Sequence, residues 1–295
     1  KHVLCEKPLA NTVEEARAMV AAAEAAKERG VKSMVAFNYR RVPAAAFARQ
    51  LVEQGKLGAI RHVRAVYLQD WIIDPEFPLV WRLKKEEAGS GALGDIGSHI
   101  VDLTQFVTGQ RITGVSGITE TFIKERPLPA EEGALGASAG GGTAKGEVTV
   151  DDAALFVARL DGGAVATYEA TRFATGRRNG LRIEINGDKG SIAFDLERLN
   201  ELEVFFTDDE PTVQGFRRVL ITEADHPYLS AWWPSGHIIG WEHTFTHETY
   251  DFVSTIGTDA QPAPSFADGL QVQLVLDAVL RSAENGSGWT TIESV

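Results

Sequence analysis

Asp95 and His99 stand four residues apart in the stretch Gly94-Asp95-Ile96-Gly97-Ser98-His99-Ile100-Val101-Asp102-Leu103. Apolar residues recur at Ile96, Ile100, Leu103 and Phe106, the spacing of an amphipathic helix. Residues four apart on a helix sit one above the other on one face, so the aspartate should lie beside the imidazole. There it can orient the ring and stabilise its protonated form, which makes the pair a candidate for moving a substrate proton. An isolated pair at this spacing is more often a surface ion pair, and two ligands do not make a metal site. The chemistry needs a further group. Glu6, Lys7 and Pro8, at the start of the chain, offer one in the Lys7 ammonium.

Two other constellations carry less. Residues 89–94 read Gly-Ser-Gly-Ala-Leu-Gly, a formal match to the dinucleotide fingerprint. That motif needs a strand directly before it and an acidic residue about 20 positions later. Here Leu83 to Ala88 has no strand pattern, so the glycines read as a tight approach to the helix bearing Asp95 and His99. His243 and His247 have helical zinc spacing, but Thr244 stands where the metalloprotease pattern requires Glu. No metal site is expected.

The elements that must position these groups can be read in order. His2 to Cys5 forms a buried strand ending at Pro8, and Thr12 with Glu15 is a capping box opening a helix to about Arg29. A second strand runs from Val31 to Phe37, into Asn38-Tyr39-Arg40-Arg41. Strand, helix and strand within so short a span is a βαβ unit, hence a parallel sheet. Pro43 opens another helix, closing at Gly55. Ile60 to Trp71 is strand-like, followed by a loop with Asp74, Pro75, Pro78, Trp81 and Arg82. Gly133 to Gly146 reads as a mobile surface loop. Asp152 to Leu160 and Ala164 to Phe173 flank Asp161-Gly162-Gly163, a hairpin signal. Alternation at Leu181, Ile183 and Ile185, then at Ile192, Phe194 and Leu196, and then at Leu202, Val204 and Phe206 continues a meander. The second half should therefore be an open, mostly antiparallel sheet with helices on one face, completed by helices near 242–256 and 266–284.

Composition bounds the function. The chain has 295 residues, 44% hydrophobic and 24% charged, as in ordinary globular proteins. A net charge of −12 argues against nucleic acid and against an anionic membrane surface as partners. No apolar run approaches the roughly 18 residues of a membrane span. The single cysteine, Cys5, excludes an internal disulfide framework and makes the cytoplasm the default compartment. The chain opens at Lys1 directly into a strand, which reads as a protein whose front is missing.

Cys5-Glu6-Lys7-Pro8, Phe37-Asn38-Tyr39-Arg40 and Gly94-Asp95-Ile96-Gly97-Ser98-His99 together resemble the glucose-fructose oxidoreductase/inositol dehydrogenase/rhizopine catabolism family, Gfo/Idh/MocA. Ile185 to Ser191, Trp233-Pro234 to Glu242, and the final helix from Asp268-Gly269 extend the likeness over essentially the whole chain. The resemblance implies an α/β fold: a partial Rossmann domain over 1–58, then an α+β substrate-binding and oligomerisation domain over 59–295. It implies an NAD- or NADP-dependent oxidoreductase acting on a secondary alcohol or ketone of a sugar, polyol or related carbohydrate. Lys7 would be the catalytic lysine beside the nicotinamide, and Asp95 and His99 the acid/base pair. Glu6, Lys7, Pro8 and Arg40 would face the cofactor, with a cis bond before Pro8. Trp81 and Arg82, with Lys7, Asp95 and His99, would line the substrate pocket. Trp71, Trp81, Trp232, Trp233 and Trp241 offer apolar faces to a sugar ring.

The family's glycine fingerprint lies roughly 90 residues ahead of the Glu-Lys-Pro segment, about two βαβ units, and this chain does not contain it. Cofactor binding by the chain as written is accordingly an open expectation. The resemblance also implies a homodimer or homotetramer built on the open sheet. Two alternatives stand beside the dehydrogenase: an NAD-dependent glycosidase of the same family, and a non-catalytic NAD- or sugar-binding regulator. Product analysis with labelled cofactor separates the first. The joint presence of Lys7, Asp95 and His99 disfavours the second.

Overall fold

The computed structural model describes residues 1–129 and 144–293. The loop expected from Gly133 falls, up to residue 143, outside the described residues. The chain begins with the expected strand, helix and strand, but the first strand, expected to be buried, leaves Val3 and Leu4 exposed, because no further parallel strand or helix covers them among the described residues. Strands β1 (Val3–Cys5) and β2 (Ser33–Val35) pair in parallel, Val3 opposite Ser33 and Cys5 opposite Val35. Helix α1 (Val13–Lys27) joins them, and its capping box is formed, Thr12 receiving Glu15 N–H and Glu15 receiving Thr12 N–H. Parallel strands end at the same edge. The loops that follow β1 and β2, which carry Lys7 and Tyr39, therefore emerge on the same side. The Lys7–Pro8 peptide is cis. A short 3₁₀ turn over Asn38–Arg41 leads into α2 (Pro43–Glu53), with proline in the first turn, where a missing N–H costs nothing.

The rest of the chain lays down strand β3 (Ile60–Leu68), helices α3 (Lys85–Ala88) and α4 (Ser98–Thr108), and strands β4 (Ile112–Glu120), β5 (Glu125–Pro127) and β6 (Lys145–Glu147). The meander follows as β7 (Ala153–Leu160), β8 (Val165–Thr171), β9 (Gly180–Gly187), β10 (Gly190–Asp195), β11 (Glu201–Phe206) and β12 (Arg217–Leu220). Helices α5 (His243–Ser254) and α6 (Phe266–Glu284) and strand β13 (Thr290–Thr291) close it. Nine strands form one sheet in the order β12-β11-β10-β9-β3-β8-β7-β4-β13. Every pairing is antiparallel except β3 with β8. The sheet is therefore open and mostly antiparallel, as the alternation implied, but its central strand is inserted from far upstream.

β7 alternates buried and exposed residues along its length, which gives the sheet one packed face and one open face. The packed face takes α2, α4 and α6 in one continuous apolar core running from Leu9, Ala16 and Val35 through Ile100 and Leu103 to Leu202 and Val275. Gly269 lets α6 close onto the first βαβ unit: a Cβ there would lie 2.9 Å from Val35 and 3.0 Å from Leu9. A second, separate cluster of Ile72, Leu79, Leu83, Val148 and Val150 sits under the 70–83 loop, with Trp71, Phe77 and Phe173 packed on it. No helix of the described residues is long and apolar enough to cross a membrane.

Candidate active site

Residues 93–97 form one π-helical turn leading directly into α4, instead of the α-helix that the spacing suggested. A π turn bonds i to i+5 and rotates the side chains after it relative to those before it. Asp95 consequently does not hydrogen-bond His99. Its carboxylate accepts Lys7 Nζ at 3.1 Å on one oxygen and an Arg172 nitrogen at 2.9 Å on the other, and Lys7 Nζ also donates to the Asp95 carbonyl at 2.6 Å. Burial alone would raise this acid; the Lys7 and Arg172 charges outweigh it and hold the carboxyl well below the usual range.

His99 is buried against aromatic rings: Tyr39 at 4.5 Å between centroids, Tyr67 at 6.0 Å and Phe37 at 6.2 Å. Its Nδ1 has no hydrogen-bond partner among the described residues. Burial, reinforced by the Lys7 charge, drives its pKa well below the ordinary value, so the ring is neutral at pH 7. The expected orienting role of Asp95 is thus corrected. Packed rings hold the imidazole, and the aspartate holds Lys7.

The glycine run ahead of the π turn is occupied by the chain itself. Asp151 receives the Gly91 and Leu93 N–H groups, each at 2.7 Å, filling the place an external anion would need. A Cβ on Gly91 would fall 1.8 Å from the Asp151 carbonyl oxygen, so only glycine permits the approach. This is not a pyrophosphate cradle.

Arg40 is a correction of a different kind. It is buried, its Nε and a terminal nitrogen donating to the two Asp102 oxygens at 2.8 and 2.5 Å, with its guanidinium over the Phe106 ring. Its charge is spent on Asp102 of α4 instead of being free to face a cofactor. Arg82 is partly buried, which lowers its pKa, and the charges of Asp95 and Arg172 both act on it. Trp81 stacks on Arg82 at 4.3 Å and is half exposed. Glu6 is exposed beside Lys7, where its carboxylate meets the Lys7 N–H at 3.3 Å. Of the tryptophans, Trp71 covers Arg172, the Arg172 guanidinium lying 5.3 Å from its ring centroid, and Trp241 donates to Tyr39 Oη at 3.4 Å. Trp232 donates to His247 Nε2 at 2.7 Å, while His247 Nδ1 meets the Arg41 carbonyl, so both nitrogens of that histidine are taken. Trp233 is exposed.

Several groups carried no sequence signal. Arg172, at the end of β8, is fully buried and grips both Asp95 and the Gly91 carbonyl. Tyr39, Tyr67 and Asn179 form a directed chain in which Trp241 donates to Tyr39, Tyr39 to Tyr67 at 2.8 Å, and Tyr67 to Asn179 at 2.7 Å. Gln69 joins it at Asn179 and receives Trp71 Nε1. Only an alternation marks Tyr67 as facing the same side as Val63 and Ala65, and nothing marks Arg172.

Comparison with known proteins follows the same outline. Residues 46–193 match the model of the GFO/IDH/MocA C-terminal domain, and residues 1–37 match the NAD-binding Rossmann fold of the oxidoreductase family. Levoglucosan dehydrogenase of Pseudarthrobacter phenanthrenivorans is 44% identical over all of this chain and 75% of that protein. An oxidoreductase domain protein from Kribbella flavida superposes with a TM-score of 0.93 at 60% identity, covering 100% of this chain and 75% of its own. Levoglucosan dehydrogenase in complex with NADH and levoglucosan superposes at 0.90 and 43% identity, with the same coverage.

Proposed function

The chain belongs to the GFO/IDH/MocA family of NAD-binding oxidoreductases, and from that premise we propose that it oxidises a secondary hydroxyl of a neutral cyclic sugar of the anhydro-sugar class. One observation carries the reading. Lys7 Nζ, on the loop after β1, meets Asp95 at the mouth of α4 across 88 positions of sequence, one helical turn before a neutral, unpartnered His99. On this reading Lys7 supplies the donor and His99 the acceptor for one oxygen atom, as oxidation of an alcohol requires.

The residues present suit the nicotinamide end of the cofactor. Glu6, Lys7 and Pro8 would hold it, because their loop leaves β1 at the edge that faces His99. No glycine cradle for the pyrophosphate occurs among the described residues, and NAD versus NADP is not assigned. When bound, the cofactor supplies the hydride acceptor. The protein handles the proton and the charge. Neutral His99 takes the hydroxyl proton. Lys7 donates a hydrogen bond to the same oxygen as negative charge gathers there, and Asp95 keeps the ammonium aimed. Arg172 fixes Asp95. The Tyr39–Tyr67 wall fixes the imidazole, and Trp71, Trp241 and Arg82 border the space left for the ring of the sugar.

We assign 1–58 to the cofactor side and 59–295 to the substrate side, a cytoplasmic setting in keeping with the single free Cys5, and a homodimer or homotetramer through the open sheet face. Ile118, Leu155, Val157 and Val165 are each more than 40% exposed there, an apolar patch of the kind that second copies cover. Sedimentation at micromolar concentration showing only monomer would remove the last assignment. For the activity, levoglucosan, other anhydro-sugars, inositols and plain hexoses are offered to the protein with NAD and NADP, and reduced cofactor is followed by absorbance. Reduction on one or more cyclic sugars, with no free sugar released from glycosides, is the expected result. Glycoside cleavage without net cofactor reduction would overturn it.

A further inference from the structure

Arg126 shares with Arg172 the place of largest fully buried side chain among the described residues, at 0% exposure, and it stands on β5, which pairs with β6. It forms no hydrogen bond to a carboxylate among the described residues. Its two terminal nitrogens donate to backbone carbonyls of one loop: Ile72 at 2.6 Å, Asp74 at 2.7 Å and Phe77 at 3.3 Å. Its guanidinium also lies 5.8 Å from the Phe77 ring centroid. A buried arginine left without a carboxylate bond is costly unless its donors are used; here the two terminal nitrogens fix the path of residues 72–77, while Nε has no partner among the described residues.

Both ends of that loop arrive at the candidate active site. At one end Phe77 meets Trp71 edge-on at 5.3 Å, and Trp71 covers the Arg172 guanidinium that grips Asp95. At the other, Arg82 enters the field of Asp95 and Arg172. Between the two arginines sits Asp152, fully buried, one oxygen receiving the Phe122 N–H and the other without a partner among the described residues. Both the Arg126 and the Arg172 charges act on it.

We infer that Arg126 is a positioning residue for the substrate side of the site: by pinning the Ile72–Phe77 carbonyls it seats Trp71 on Arg172, and so sets the wall against which the sugar binds. The inference rests on the sugar-oxidation reading for its substrate but not for its geometry. Arg126 touches neither Lys7 nor His99, so its loss should act on sugar affinity ahead of turnover. A wall displaced by about an ångström costs roughly tenfold or more.

Arg126→Lys, Arg126→Met and Phe77→Leu are prepared in the full chain. Arg126→Lys keeps one donor to the carbonyls, and Phe77→Leu removes the ring on Trp71 while leaving Arg126 in place. Expected results are an increase in sugar KM of about tenfold in Arg126→Met with kcat within about threefold, partial recovery in Arg126→Lys, and an unchanged cofactor dissociation constant. Phe77→Leu should shift sugar KM in the same direction. Hydrogen exchange supplies a readout independent of activity: amides of 70–83 should lose protection while those of β3, β8 and β9 keep theirs. Equal weakening of sugar and cofactor, or loss of protection spread evenly over the sheet, would overturn the inference. If wild type oxidises no sugar, the functional reading fails, and the exchange pattern alone then decides the role of Arg126.

Discussion

The two apolar clusters of this molecule support different parts of its site. The large one, continuous from Leu9 to Val275, carries α4 and with it Asp95 and His99; Ile100, Leu103 and Val107 are all buried in it. The small one has five buried residues under the 70–83 loop and supports Trp71, Phe77 and Phe173, with Leu83 of the cluster directly after Trp81 and Arg82. Free energy of local opening follows the amount of apolar contact. The groups that move the proton therefore sit on the most stable part of the fold, and the groups that face the sugar sit on a patch that can open or vary without disturbing them. Chemistry and selectivity rest on separate supports.

The largest effect should come from the first region. His99→Ala should lower kcat by about 10²–10⁴-fold, with cofactor affinity unchanged. Higher pH should partly restore it, since solvent base can then take the proton. Lys7→Ala should be impaired without that rescue. Matching pH–rate profiles in the two variants would dissolve the division of roles. Arg40→Met comes next and separates stability from cofactor binding, because it strands the buried Asp102 carboxylate. A loss of about 3–5 kcal/mol in denaturant unfolding is expected, with cofactor affinity unaltered; weakened cofactor binding at full stability would return Arg40 to the cofactor side.

The comparison itself is tested by a matched pair of truncations. Ile100→Ala should cost about 3–5 kcal/mol and expose the whole sheet to exchange. Leu79→Ala should cost nearer 2 kcal/mol, with exchange confined to 70–83 and the β5–β6 hairpin. Equal, global effects would mean the clusters are one cooperative unit. The smallest effect concerns Glu248 on α5, buried with one carboxyl oxygen unpartnered among the described residues and pushed up to about 7 by desolvation. An acid raised in the folded state favours folding while protonated. Stability should therefore decline as pH rises from the ordinary carboxylate range to about 7 and level off above it, by about 1–3 kcal/mol. Glu248→Gln should remove that slope in unfolding curves recorded between pH 5 and 8.

Local rules made much of this legible beforehand. The Thr12–Glu15 box, the Asp161-Gly162-Gly163 turn and the alternation of β7 to β11 are all short-range signals, and each element stands where its pattern put it. Convergence of Lys7 with Asp95 was legible only through the family likeness. What failed was geometry that a regular period conceals. One π turn spoils the i, i+4 relation of Asp95 to His99, and no residue type announces such a turn. Arg40, flanked by an asparagine, a tyrosine and a second arginine, looks like a ligand-facing cation until Asp102 is placed opposite it. Arg172 and Arg126 are bound by carboxylates and carbonyls dozens of positions away, which is contact information and not pattern.

The parallel pairing at the centre of the sheet reaches beyond the folded state. β3 meets only β8 and β9, so residues 60–68 have no strand neighbour until 165–171 and then 180–187 have been synthesised. Until then α4 has no sheet face to lie on, and its apolar side is exposed on the nascent chain. Pairings this distant in sequence form slowly, because a long loop must close before any contact offsets its entropy. The interval in which apolar surface is open to wrong partners therefore falls before β8 and β9 have left the ribosome.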